Sequence, residues 1–446
     1  MPDTYRYFQT QIGSALNSQS ALAYVIDLRG PDAYRSYFDV NDFALAATQA
    51  AVSEYAALTG ASRIGIDRRL ALLWFHLTTR PVGWDVGSVW DAIAGDYQCA
   101  DGWVRLHTNA PHHQKAALEV LGCEADRDEV TGILRQRSKF EVEQAVVDNN
   151  GCAAAMMSLS EWRDHPQGQA LARAPLVEWS VRDGGRPKHR GLKGLKVLDL
   201  TRVLAGPVAT RFLAGFGAEV LRIDPPHWNE PAVEVDVTLG KRCAGLDLTT
   251  NEDRDTLKRL ISQADLLVHG YRPGALAGLG FGPRELQSLN PGLCDVSLCA
   301  YGWSGPWASR RGFDSLVQMS CGIADEGMRR AGADRPVPLP VQALDFATGY
   351  LVAAAALRAL RRQQTEGQVS SARLSLARTA HLLTSAGAHE ALGDGLVPAD
   401  GDFAPTLEKT SWGDIQRITA PYEVDGQRPD WPMAAGALRR HAPTWD

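Results

Sequence analysis

The chain has 446 residues, 45% of them hydrophobic and 22% charged, with a formal net charge of −6. That is enough apolar material for about two or three domains, and the charge, with no block of Lys/Arg, leaves no electrostatic footprint for nucleic acid. Seven cysteines (Cys99, Cys123, Cys152, Cys243, Cys294, Cys299 and Cys321) without C-x-x-C spacing argue against a disulfide scaffold and for a reducing, cytoplasmic setting.

No secretory segment is expected over residues 1–20, where Asp3 and polar residues replace an apolar run. An Ala-rich helix is expected over residues 43–58, then an apolar segment at 70–77 and a stretch holding Trp84, Trp90 and Trp103. Those tryptophans read as core or interface anchors. His112 and His113 lack a third ligand at metal spacing and read as loop polarity. Residues 182–189 are polar and turn-rich and read as a linker.

From Lys196 strands and helices alternate. Residues 197–200, 218–224, 243–248, 265–269 and 293–300 read as strands. Between them Pro207 opens a helix with Ala209, Phe212, Leu213 and Phe216 on one face. Thr250 and Asp253 form a capping-box pattern ahead of Leu257, Leu260 and Ile261, and a short helix is expected at 283–289. The alternation predicts an α/β fold, a Rossmann-like, mostly parallel sheet plus a smaller α+β domain, with ligands at the carboxyl ends of the strands. The apolar run at 347–360, interrupted by Arg358, reads as a buried helix.

The turn at 202–207 lacks the G-x-G-x-x-G of a dinucleotide site, which weighs against a nicotinamide dehydrogenase. It can still offer backbone N–H groups and a helix N-terminus to an anion, or be a plain turn. Lys241 and Arg242, and the segment 269–274, lie beside strand ends. There Arg272 suits a phosphate and Tyr271 a base, although exposed basic pairs are more often solvated surface. Asp345, flanked by Leu344 and Phe346, reads either as a helix cap or as a desolvated, reactive carboxylate.

An internal echo supports a fused arrangement. Residues 41–44 (NDFA) lead through an Ala-rich helix to 57–60 (ALTG) and 64–72 (IGIDRRLAL). Residues 344–347 (LDFA) lead through another to Gly367 and 369–376 (VSSARLSL).

In order along the chain stand GLKVLDLTRVLAGP (194–207), FGAEV (216–220), GKR (240–242), LDL (246–248), RPG (272–274), LNPG (289–292), GFDSLVQ (312–318) and ALDFATG (343–349). On these motifs, residues 192 to 378 resemble the family III CoA-transferases, the group that includes formyl-CoA transferase, carnitine CoA-transferase and the acyl-CoA racemases. The resemblance implies transfer of CoA from an acyl-CoA thioester to a carboxylic acid, with Asp345 as the nucleophile forming an aspartyl covalent intermediate. It implies coenzyme A, carried as acyl-CoA, as the ligand, with no metal. Its contacts would be Leu204 and Ala205, Leu246, Asp247, Leu248 and Thr249, Gly270, Tyr271 and Arg272, and Arg311, Gly312, Phe313 and Asp314.

Several positions depart from the family. Leu204 stands where formyl-CoA transferase has Gln, and Gly270 where it has Asn. Phe313 stands where the racemases have a His, so transfer is expected over racemisation. A racemase or isomerase, or a catalytically silent acyl-CoA-binding subunit, are the rival readings. The segment order also departs. The small domain's counterpart, with WDAIAGDYQCADGW (90–103) and the return passage SLSEWRDHPQGQ (158–169), precedes the large domain.

The expected organisation is a truncated family copy with a small second domain over 1–190, a Rossmann-like catalytic domain over 191–384 and a loop-rich tail over 385–446 packing back on it. Asp42 would then be a vestigial nucleophile. Gly184 and Gly185 are the nearest run to the Gly-rich loop that shields the intermediate in formyl-CoA transferase, and a poor candidate for it. The resemblance further implies a homodimer, while the charge and the interrupted apolar run lead to the expectation of no nucleic-acid or membrane partner.

Overall fold

Apolar residues alternate between the two faces of each central strand, and each face is covered by its own layer. The structure, a computed structural model, describes residues 3–20, 26–29, 33–184, 191–392 and 395–445. Its main sheet runs in the spatial order Lys241–Gly245, Glu219–Asp224, Lys196–Leu200, Leu266–His269, Cys294–Cys299, Gln368–Ser375 and Glu178–Asp183. The first six strands are parallel, and Glu178–Asp183 pairs antiparallel at the edge. The α/β class and the mostly parallel sheet are therefore as the sequence implied.

On one face Val197, Val220, Val268, Val296 and Leu374 pack against the helices Ala205–Gly215 and Ala343–Glu366. On the other, Leu198, Leu221 and Leu267 meet Leu257, Leu260 and Ile261 of Asn251–Gln263. This period-2 partition is what a parallel sheet with crossovers on both sides requires.

Helix Ala343–Glu366 has 24 residues, longer than the run read from the sequence, and is apolar and long enough to cross a membrane. Its most apolar stretch is wholly buried instead. It lies between the sheet and the N-terminal helix Val40–Thr59, to which Arg361 ties it through Glu54 at 3.0 Å. The two Ala-rich helices of the internal echo thus pack on each other. Their small side chains are nearly all buried.

Several boundaries differ from the expected ones. The strand read at 243–248 starts at Lys241 and stops at Gly245, because residues 246–250 turn to form the cap of the next helix. Thr250 caps that helix through the Asp253 N–H, but the Asp253 carboxylate accepts from Asp247 N–H, so the box is not reciprocal. Helix Ala205–Gly215 begins two residues before Pro207. Residues 182–183, read as linker, close the edge strand of the sheet. The rest of that segment, 185–189, lies outside the described residues, as does Gly185.

Strands Gly95–Cys99, Gly102–Leu106 and Ala153–Ala155 form a separate antiparallel sheet. Helices Pro111–Leu121, Arg127–Leu134 and Lys139–Asp148 cover it around Tyr97, Val104, Val130 and Val142. Arg310 anchors this small unit to the large sheet. It pairs with Glu143 at 2.7 Å and donates to the Ala153 carbonyl at 2.8 Å.

The C-terminal residues interleave with the N-terminal ones. Strand Ala388–Leu392 pairs with Ser36–Phe38, Asp414–Arg417 with Thr79–Pro81, and Tyr422–Val424 with Ile64–Asp67. The chain then crosses the large domain, where Trp431 donates to the Arg211 carbonyl at 2.9 Å and stacks on Trp74.

Candidate active site

The strand order reverses beside Lys196–Leu200: the chain steps outward to Glu219–Asp224 and Lys241–Gly245, then returns to Leu266–His269 on the other flank. The connections from the carboxyl ends of these two central strands leave to opposite flanks of the sheet, which opens a crevice. A cavity of about 410 Å³ sits there, lined by Thr201, Arg202 and Val203 from one strand end and Gly270, Tyr271 and Arg272 from the other. The small unit closes it with His112 and His113, and Asp345 lies in its wall.

The turn into helix Ala205–Gly215 is tight. A Cβ on Gly206 would come within 2.2 Å of the Thr201 side chain. Val203 takes φ 65°, a left-handed conformation costly for a β-branched residue. Glu230 holds it, accepting from the Val203 N–H at 2.9 Å and from the Trp228 indole at 2.8 Å, while Arg222 anchors Glu230 from the buried sheet. Arg202 thereby lies over both Trp228 and Tyr271, at 5.1 and 5.6 Å from their ring centres.

Beneath the turn is a buried ionic cluster. Lys241 Nζ donates to Asp199 at 3.0 Å, Thr210 at 2.6 Å and the Pro207 carbonyl at 2.9 Å. Burial alone would raise the Asp199 carboxyl, but the charges of Lys241 and Arg222 and the hydroxyls of Thr201 and Thr210 carry it below the usual carboxylate range.

Asp345 is the third residue of helix Ala343–Glu366, so it is not the cap; Gln342 occupies that position. It is 7% exposed, and among the described residues nothing donates a hydrogen bond to its carboxylate. Its backbone N–H is accepted by Asp314 Oδ2 at 2.9 Å. Asp314, 1% exposed, is oriented by Gln318, whose own oxygen accepts from the Leu339 N–H at 2.7 Å. Burial pushes the Asp314 carboxyl up to about 6. Burial, and then the neighbouring Asp314 charge, push Asp345 well above the usual range. A carboxylate so desolvated is a stronger base and nucleophile than one in water.

Of the residues predicted from the sequence, Ala205, Gly270, Tyr271, Arg272, Arg311, Gly312, Phe313 and Asp345 all line this cavity. Leu204, Leu246, Asp247, Leu248, Thr249 and Asp314 do not. Leu246 and Leu248 are buried in the core, Asp247 and Thr249 bond each other in the cap, and Asp314 acts from behind Asp345. Arg272 and Arg311 bond neutral groups, the Ser309 carbonyl at 3.1 Å and the Asn150 side chain at 3.3 Å. Their charges thus remain available to an anion.

The loop reading of His112 and His113 is corrected. They lie in the first turn of helix Pro111–Leu121 and in the cavity wall. Also missed were Arg202, His227, Trp228 and Arg310. Pro111 before an amphipathic run was a usable helix-start signal. Nothing local shows that this helix faces Asp345.

Asp42, the counterpart of Asp345 in the N-terminal echo, likewise sits in the first turn of its helix. Arg68 pairs with it at 3.7 Å, and it does not line the cavity that holds Asp345.

A buried carboxyl group beside an arginine-lined crevice at a topological switch point defines a protein of the α/β class with a crevice whose charge suits an anionic ligand. Residues 192–412, just under half of the chain, match the model of CoA-transferase family III. It is 35% identical over 211 residues to acetyl-coenzyme A transferase nodX of Hypoxylon pulicicidum, covering 46% of this chain and 33% of that protein. It is 35% identical over 191 residues to the probable fatty acyl-CoA transferase Rv3272 of Mycobacterium tuberculosis, covering 40% and 48%. It is 30% identical over 225 residues to human succinyl-CoA:glutarate CoA-transferase, covering 45% and 50%. The match thus spans a third to a half of these relatives. A crystal structure of Rv3272 aligns at 30% identity with a TM-score of 0.39, over 45% of this chain and 58% of that one.

Proposed function

We propose that the protein transfers CoA from an acyl-CoA thioester to a carboxylic acid, with Asp345 as the covalent nucleophile. The observation that carries this reading is the Asp345 carboxylate, buried, without a hydrogen-bond donor among the described residues and in the wall of the cavity that Arg272 and Arg311 line. The match of residues 192–412 to the model of CoA-transferase family III supports the CoA part of it.

In this reading the Asp345 oxygen attacks the thioester carbonyl. A C–O bond forms, the C–S bond breaks, and CoA leaves as its thiolate. The thiolate attacks the Asp345 carbonyl of the resulting anhydride and releases the donor acid, leaving an aspartyl thioester. The acceptor carboxylate attacks that thioester, and the returning thiolate takes the acceptor acyl group from the second anhydride. Each step exchanges one acyl bond for another, so no barrier is that of direct exchange between acids.

Arg202, Arg272 and Arg311 would receive the phosphates of CoA, and Tyr271 and Trp228 its base. The Asp314 carboxylate keeps Asp345 basic and fixes the start of its helix. Mass spectrometry after incubation with a panel of acyl-CoAs and hydroxylamine tests the proposal. Modification at Asp345 is expected in the native protein and not in Asp345→Ala. An unmodified Asp345 across the panel refutes it.

A further inference from the structure

His113 comes from the small unit, far in sequence from the family segment, and reaches the same cavity as Asp345. It is 3% exposed, whereas its neighbour His112 is exposed. Its Nδ1 is buried without a hydrogen-bond partner among the described residues. An imidazole in that condition costs stability, because a buried polar atom has left water and gained nothing in exchange.

The ring is positioned through Phe313. Phe313 stacks face to face on His107, with centroids 3.8 Å apart and planes at 8°, and His113 meets the Phe313 edge at 5.9 Å and 68°. Phe313 is the residue before Asp314, whose carboxylate holds the Asp345 N–H. His113 and Asp345 thus both line the cavity, and each contacts one residue of the pair Phe313–Asp314. Burial, and then the charges of His112, Arg311 and Arg272, hold His113 down to about 3, so the ring is neutral at physiological pH. A neutral imidazole carries one N–H and can donate a hydrogen bond without having to lose a proton.

We propose that His113 is a catalytic residue whose Nε2–H donates to the carbonyl oxygen of the bound thioester as Asp345 attacks. Negative charge builds on that oxygen while the C–O bond forms and disperses as the C–S bond breaks. The donor stabilises the oxygen in between and keeps its own proton throughout. Placing the proton on Nε2 leaves the sealed Nδ1 as the lone-pair nitrogen.

This inference rests on the proposed chemistry of Asp345, and the experiment separates the two. Native enzyme, His113→Ala and His113→Gln are mixed with acetyl-CoA, succinyl-CoA and a medium-chain acyl-CoA, and single-turnover acylation of Asp345 is followed. His113→Ala should acylate about 10²–10³-fold more slowly, with CoA affinity unchanged within a factor of about two and the loss in kcat rather than KM. His113→Gln, which restores an N–H donor, should recover part of the rate. A structural role alone would not give that split or that rescue.

An alanine variant that acylates at the native rate overturns the role of His113 and leaves Asp345 standing. A native enzyme that is never acylated overturns both. Should His113→Ala fail to fold, the carbonyl stretch of a ¹³C-labelled acetyl-CoA or succinyl-CoA bound to Asp345→Ala decides the matter. A shift to lower frequency than in water supports the inference, and an unshifted band overturns it.

Discussion

The backbone N–H of Asp345 is held by the carboxylate of Asp314 at 2.9 Å, so one buried acid positions another. The contact fixes the first turn of helix Ala343–Glu366, and burial, then the same proximity, raises the proton affinity of Asp345. Asp314→Asn keeps an oxygen for the N–H but removes the charge. The Asp345 carboxyl should then titrate lower, and the acid limb of the acylation rate should move to lower pH. A pH profile of single-turnover acylation checks this; an unmoved limb removes Asp314 from the electrostatics of the site.

Both acids are raised in the folded state by burial. Between the unfolded carboxylate value of about 4 and the raised folded values, the folded form binds more protons than the unfolded one, so stability falls as pH rises. For Asp314 that window runs up to about 6. Asp345→Asn removes a titrating group and should raise Tm, by more at pH 8 than at pH 4. Calorimetry at the two pH values checks the sign, and a variant less stable at pH 8 contradicts it.

Helix Ala343–Glu366 touches helix Ala205–Gly215 at Gly349, where a Cβ would lie 2.5 Å from the Ala205 carbonyl and 2.9 Å from Val208. Backbone on one side and a packed side chain on the other leave no room to yield. Gly349→Ala should cost about 1–3 kcal/mol and, by moving Asp345 relative to the turn at Val203, reduce kcat by about 10²-fold. Urea unfolding and steady-state kinetics read the two effects separately.

Lys241 is fully buried among Asp199, Thr210 and the Pro207 carbonyl. Lys241→Met would leave Asp199 buried next to an apolar chain, a loss of about 3–5 kcal/mol. The double variant Lys241→Met/Asp199→Leu, which removes both charges, should recover much of it. Denaturant midpoints for the two proteins decide whether the pair or its imbalance matters.

Arg272→Ala and Arg311→Ala should each weaken CoA binding about 10–100-fold, the equivalent of one charge-assisted hydrogen bond of about 1.5–3 kcal/mol. The native affinity should fall with salt more steeply than that of either variant. Calorimetric titration with CoA at two ionic strengths checks both points.

The parallel sheet was legible because its strands carry apolar residues on both faces and the helices between them carry helical spacing, as at Leu257, Leu260 and Ile261. Asp345 and its neighbourhood were legible as motifs. The ends of elements were less so: Leu246 and Leu248 are as apolar as the strand before them, yet the Asp247 side chain, accepting from the Thr249 N–H at 3.0 Å, shapes a turn there. His113 was illegible, because a histidine after Pro111 looks alike whether its helix faces solvent or a reactive acid.

By itself the sequence determined the layering of the main sheet, since periodicity and turn chemistry act between near neighbours, and its motifs singled out Asp345 as the candidate acid. Tertiary structure alone decided that Asp314 stands behind Asp345, that the small unit delivers His113 to the same cavity, and that the C-terminal strands pair with N-terminal ones. Those contacts join residues separated by tens to hundreds of positions. They are set by how packed surfaces meet, which no short window of sequence encodes.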